Sequence, residues 1–107
     1  VAGRNYERGR AFEYRVKRKL EREGFFVVRS AGSHFPDLLA VKEGVPYAVE
    51  CKRDAGRVTR AELERLAALR RYGIVPLVAY PRDGRIELAP AETLLAARVG
   101  KRGRREA

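Results

Sequence analysis

Cysteine, histidine, asparagine and glutamine are almost missing from these 107 residues, which hold one cysteine (Cys51), one histidine (His34), one asparagine (Asn5) and no glutamine. A single cysteine excludes an internal disulfide and any cysteine-rich zinc site. A single histidine argues equally against a histidine-built centre. Any metal must then be held mostly by carboxylates, which selects a hard ion such as Mg²⁺, with Mn²⁺ as the alternative. No small-molecule cofactor motif is present beside it. The same absences point to a cytoplasmic setting. Long apolar runs are missing too. No stretch reaches spanning length, no signal-peptide pattern occurs, and no helix sets a clean basic face against an aromatic one, so a membrane partner is not expected. The scarcity of Asn and Gln, beside many arginines, suits a heat-adapted source, and a GC-rich genome gives the same bias.

What the chain does have is positive charge on a globular pattern. Lys and Arg number 24 against 14 Asp and Glu, for a net charge of +10, while 45% of residues are hydrophobic. That apolar share supports one modest core and leaves no room for two. The charge excess therefore calls for a polyanionic partner, and nucleic acid fits best. We expect a single domain over residues 1–100, followed by a basic, disordered tail over 101–107.

Periodicity outlines the elements. Phe12, Val16 and Leu20 recur every four residues and predict a helix from about Tyr6 to Glu23, capped by Gly24. Residues preceding it are polar and expected to fray. Phe25–Ser30 reads as a buried strand, and Ala31–Pro36 as a loop. Asp37–Val41 and Tyr47–Lys52 form a hairpin around the turn Lys42–Pro46. Thr59 and Glu62 make a capping box that opens a second helix, ended by Gly73. Ile74–Tyr80 is a further strand, Arg85–Leu88 a short last one, and a weak helix starts near Pro90 and fades by Val99. The order helix, three strands, helix, one or two strands gives an α/β domain, a mixed β-sheet flanked by helices.

The hairpin carries the chemistry. Residues two apart on a strand share a face, so Glu50 and Lys52 project together and Cys51 turns away, into core packing. The start of one antiparallel strand lies opposite the end of its partner, which brings Asp37 to the same spot. Two acids and an amine converging there are costly unless a cation stands between the acids. A divalent ion fills that place, and can activate a water and steady the leaving oxygen of a phosphodiester. Lys52 then serves the charge gathering on the phosphate. The plain alternative is an ordinary salt-bridged hairpin. Glu13 lies within about 20° of Leu20 on the helix wheel, at the edge of the sheet-facing stripe. It is either a rim salt bridge to an arginine or a further acid of the metal site. Ser33 is either a simple turn residue or, through its hydroxyl or nearby N–H groups, a phosphate contact. Arg4, Arg8 and Arg10 lead toward Glu13 and are candidate phosphate contacts. His34 is a solvent-facing residue or a minor DNA contact.

In this order, Arg8–Glu13 (RGRAFE), Val28–Ser33 (VRSAGS), Pro36–Ala40 (PDLLA) and Tyr47–Lys52 (YAVECK) make a specific set. A weaker match runs through the second helix to Ala79. On these stretches the chain resembles the archaeal Holliday junction resolvase family, within the restriction-endonuclease-like PD-(D/E)XK nuclease superfamily. The resemblance implies a restriction-endonuclease-like core and metal binding at Asp37 and Glu50. It makes Lys52 catalytic and Glu13 an active-site acid, and favours Ser33 and Arg29 as active-site or DNA-contacting groups. It departs at Tyr14, where the family usually has a basic residue, and in a short C-terminal third.

The expected function is Mg²⁺-dependent endonucleolytic resolution of four-way DNA junctions in recombination and repair. Paired nicks require two sites, hence a homodimer, with the second helix and the strand after it as candidate interfaces. Two rivals stand beside it: a nuclease of the same superfamily with another DNA target, and a non-catalytic basic DNA-binding protein of the same fold.

Overall fold

The computed structural model describes residues 2–32 and 35–106, with side chains described over 7–32 and 35–98. Helix α1 spans Ala2–Arg22, strands β1, β2 and β3 span Phe26–Arg29, Leu38–Lys42 and Val45–Cys51, and helix α2 covers Arg60–Ala67. A 3₁₀ turn over Ala68–Tyr72 prolongs α2, and β4 (Val75–Arg82), β5 (Arg85–Pro90) and α3 (Ala91–Glu106) follow. The five strands lie in the order β1-β2-β3-β4-β5. Every pairing is antiparallel except β3 with β4. That parallel step needs a crossover, and α2 supplies it.

Two layers of apolar contact hold the sheet. Phe12, Val16 and Leu20 of α1 are buried on Val27, Leu38, Ala40, Val49 and Ala79. The four-residue spacing in α1 is what keeps these three in line. On the opposite face, Leu63 and Leu66 of α2 and Ala91 of α3 bury Ala48 and Val78. Coverage there is incomplete. Phe26 and Val28 of β1 and their cross-strand partners Val41 and Leu39 of β2 are all exposed. The sheet is thus covered on both faces under β3 and β4, and on one face only under β1 and β2.

Several boundaries differ from the sequence expectations. The loop of the first hairpin is a two-residue turn, Glu43-Gly44, with both φ values positive (51° and 79°). That is the mirror-image turn whose twist suits a hairpin, so the strands run closer to the tip than a five-residue loop allows. Asp83-Gly84 repeats the device between β4 and β5, at φ 50° and 75°. Helix α1 begins at Ala2, ahead of Tyr6. Helix α3 runs past Val99 to Glu106, so the stretch expected as a disordered tail is helical as far as that residue. Strand β4 has neighbours on both sides. It offers no free edge, which removes it as an edge-to-edge interface between copies.

Candidate active site

The register of β2 and β3 sets Leu38 against Val49. Continued by one residue, it places Asp37 against Glu50. Directly opposed residues share a face, and Glu50 also lines up with buried Val78 of β4, on the α2 side of the sheet. Two reciprocal bonds fix the pair. The Asp37 N–H donates to Glu50 Oε1 at 2.8 Å, and the Cys51 N–H donates to Asp37 Oδ2 at 2.8 Å. Cys51 itself packs with the α1 layer, as strand alternation requires.

The electrostatics of this pair are unfavourable as they stand. Burial and the Asp37 charge push Glu50 up to about 7. Burial raises Asp37 as well, against the Cys51 N–H and the positive charges of Lys52 and Arg29. Glu13 is raised by burial and by Asp37, and its bond from Arg29 only partly offsets this. All three shifts have burial as their largest cause, and the Asp37 charge adds to it at Glu13 and Glu50.

Glu13 and Arg29 come together from α1 and β1. Arg29 Nε donates to Glu13 Oε1 at 3.0 Å, and the guanidinium lies 4.7 Å from the Tyr14 ring centroid. The salt-bridge alternative for Glu13 is therefore realised, yet within range of Asp37. Tyr14 holds the arginine that pairs with the helix glutamate. Lys52, one step past β3, donates from Nζ to Glu62 Oε2 at 2.5 Å.

Glu62 is the residue that sequence reasoning missed. Its capping box with Thr59 was legible, and both bonds are present: the Thr59 N–H donates to Glu62 Oε1, and the Glu62 N–H donates to the Thr59 hydroxyl. The box spends one carboxylate oxygen and aims the other at Lys52. The Lys52 and Thr59 bonds hold Glu62 below the ordinary carboxylate range despite its burial. A helix-start motif four residues long carried a signal for its cap and none for a lysine ten positions earlier.

Glu13, Arg29, Asp37, Glu50 and Glu62 line one cavity of about 350 Å³ together with Gly9 and Arg10, while Lys52 lines a neighbouring depression with Arg53, Asp54 and Arg57 and is tied to the cavity through Glu62. The cavity sits where α1 and α2 converge over the ends of the central strands. Arg8 is exposed on α1 and does not line it. The side chain of Arg4, and Ser33 and His34 entirely, lie outside the described residues.

The donor set suits a hard divalent cation. Two facing carboxylates, both raised chiefly by burial, present oxygen only, and an ion between them would offset the repulsion that the Asp37 charge adds at Glu50. Among the described residues, no group of three or more His, Cys, Asp or Glu side chains is close enough to hold an ion together. Asp37 and Glu50, directly opposed, are the residues that would hold it, with Glu13 beside them on its arginine.

A five-stranded mixed sheet between helices, with paired acids and a lysine at its open end, defines the restriction-endonuclease-like α/β class. Within that class the match is particular: residues 4–101 fit the family model of the archaeal Holliday junction resolvase (Hjc), and the chain belongs to that family. It is 36% identical over 83 residues to the crossover junction endodeoxyribonuclease Hjc of Methanocaldococcus jannaschii, a match covering 74% of this chain and 62% of that protein. The chain thus spans under two thirds of that relative's length. The fold is similar to the 1.6 Å structure of Hjc from Archaeoglobus fulgidus, described as a Holliday junction resolvase from an archaeal hyperthermophile. The TM-score is 0.65 at 24% identity, over 79% of this chain and 74% of that one. Among the described residues, no helix is long and apolar enough to cross a membrane.

Proposed function

We propose that this chain is a metal-dependent endonuclease that resolves four-way DNA junctions, acting as a homodimer in the cytoplasm. One observation carries the reading: Asp37 and Glu50 face each other in a cavity, with Glu50 raised to about 7, inside a molecule of net charge +10. Acids gathered on a surface meant for a polyanion repel it, unless they hold a cation the polyanion needs. When bound, Mg²⁺ (or Mn²⁺) supplies an activated water and counter-charge for the scissile phosphate.

The protein's own groups do the rest. Asp37 and Glu50 are kept in place by backbone N–H groups, so the donors are set before substrate arrives. Lys52 has three N–H donors. Glu62 takes one, which fixes the ammonium and leaves two for a phosphate oxygen or the attacking water. Glu13 would serve a bound ion or its water shell. Arg29 holds Glu13, and Arg10 lines the same cavity as a candidate phosphate contact. Arg4, Arg8 and Ser33 stay candidate DNA contacts on sequence grounds.

Cleavage of a four-way junction against a linear duplex of the same sequence tests the target. Asp37→Asn tests the site. We expect cleavage to fall at least a hundredfold, while junction binding is kept or strengthened because a repelling charge is gone. Unchanged cleavage by Asp37→Asn would end the assignment, and equal cutting of both DNAs would reduce it to a nuclease with another target.

A further inference from the structure

Helix α1 has two polar flanks, and the cavity uses only one. Gly9, Arg10 and Glu13 lie on the side toward β1. On the other side, toward β5, Arg15, Arg18, Lys19 and Arg22 meet Arg85 from the second tight turn around a shallow depression of about 670 Å³. Five cations from two separate elements therefore share one surface. Lys19 is paired with Glu23 at 2.6 Å, and Arg15 leans on the Phe12 ring at 5.5 Å, a contact that leaves its charge unneutralised. Arg18, Arg22 and Arg85 are exposed and have no ion pair among the described residues. Glu21 is paired with Lys17 and Glu87 with Arg82, and Glu7 lies beside Arg15 and Arg18 in an adjoining depression without lining this one.

Like charges brought this close destabilise a fold slightly unless something anionic lies against them. Arg15 and Arg22 are seven residues apart, two turns, or roughly 10 Å along the helix. Duplex DNA presents about three phosphates of one strand over that length. Membrane docking is disfavoured, because no exposed large apolar side chain lines the depression, and Tyr14, beside Arg15 and Arg18, has its ring covered by Arg29.

We infer that this flank of α1, with Arg18, Arg22 and Arg85 at its centre, binds the phosphate backbone of duplex DNA lying outside the catalytic cavity. The inference rests on the nuclease reading for its partner and deepens it, adding a second contact surface that lets a branched substrate be held by more than the duplex being cut.

The test uses the full chain with Arg18, Arg22 and Arg85 all changed to Ala, and a second variant with all three changed to Lys. Binding to a four-way junction is measured in EDTA across a range of salt, and nicking is measured separately in Mg²⁺ at saturating protein. Each lost phosphate contact removes about 0.9 from the slope of log K against log salt. We expect the Ala variant to lose about 2 to 3 from that slope and about 10- to 100-fold in affinity. The Lys variant should recover the slope, and both should nick bound junction at the wild-type rate. A slope within about half a unit of wild type, or equal losses in the Ala and Lys variants, overturns the proposal. So does a fall in the saturated nicking rate, which would place these arginines in the cavity's work. Failure of the nuclease reading shows elsewhere: wild type would not cut the junction, while the salt slopes would still decide the patch.

Discussion

At the scale of single residues, the chemistry depends on where Glu50 keeps its proton. Its carboxyl is held at about 7 in the folded chain against 4.5 ordinarily, so the folded state binds that proton more tightly than the unfolded state. The stabilising contribution is therefore complete below pH 4.5 and is lost as pH rises toward 7. Without divalent ions, the wild-type melting temperature should fall across that window, and Glu50→Gln should remove most of the fall. Mg²⁺ added at pH 7.5 should raise the wild-type melting temperature and leave that of Glu50→Gln nearly unmoved; equal shifts in both would place the ion elsewhere. Lys52 makes a second case. Glu62→Ala removes the carboxylate that Lys52 bonds and leaves the backbone bonds to Asp37 and Glu50 in place. We expect the saturated cleavage rate to drop about 10- to 100-fold, with junction affinity little changed, because a misplaced ammonium costs rate rather than binding. Asp37, Glu50 and Lys52 were legible because strand alternation and hairpin register are properties of short sequence. The Glu62 and Arg29 contacts were not, since each joins side chains from different elements whose packing no local period encodes.

At the scale of elements, caps and turns set the site's dimensions. Thr59 begins α2 and braces Glu62, so Thr59→Ala should cost about 1 kcal/mol in chemical denaturation. It should also slow cleavage, by loosening the brace on Lys52. The hairpin between β2 and β3 closes on Glu43-Gly44, and a Cβ added at Gly44 would meet nothing within 4 Å. Gly44→Ala therefore tests backbone conformation alone, and we expect a loss of about 1 kcal/mol from the positive φ, with cleavage preserved. A larger loss would mean that the tip contacts something. Element order was readable throughout, from helix periodicity, the capping box and Gly73. Their ends were less so: both hairpin turns are tighter than composition suggests, because Glu and Asp are tolerated in a left-handed position beside glycine. The length of α3 was hidden by its run of basic residues, whose composition resembles a solvated tail.

At the scale of the whole molecule, charge and coverage are unevenly spread. On the proposed function, a net charge of +10 should make DNA binding fall steeply with salt, with the two flanks of α1 dividing that dependence between cleavage and grip. Coverage divides along another line. Strands β3 and β4 are sandwiched between α1 and the pair α2 and α3, whereas β1 and β2 lean on α1 alone, with Phe26, Val28, Leu39 and Val41 facing out. Segments with less burial open at lower free energy. Amide exchange should therefore be fastest in β1, then β2, and slowest in β3 and β4. Arg29 belongs to the thin side of that seam, Glu50 and Lys52 to the thick side, and Asp37 stands at the junction. Warming would part the two halves of the pocket while the sandwiched strands still held, so nuclease function should fade several degrees before the chain melts.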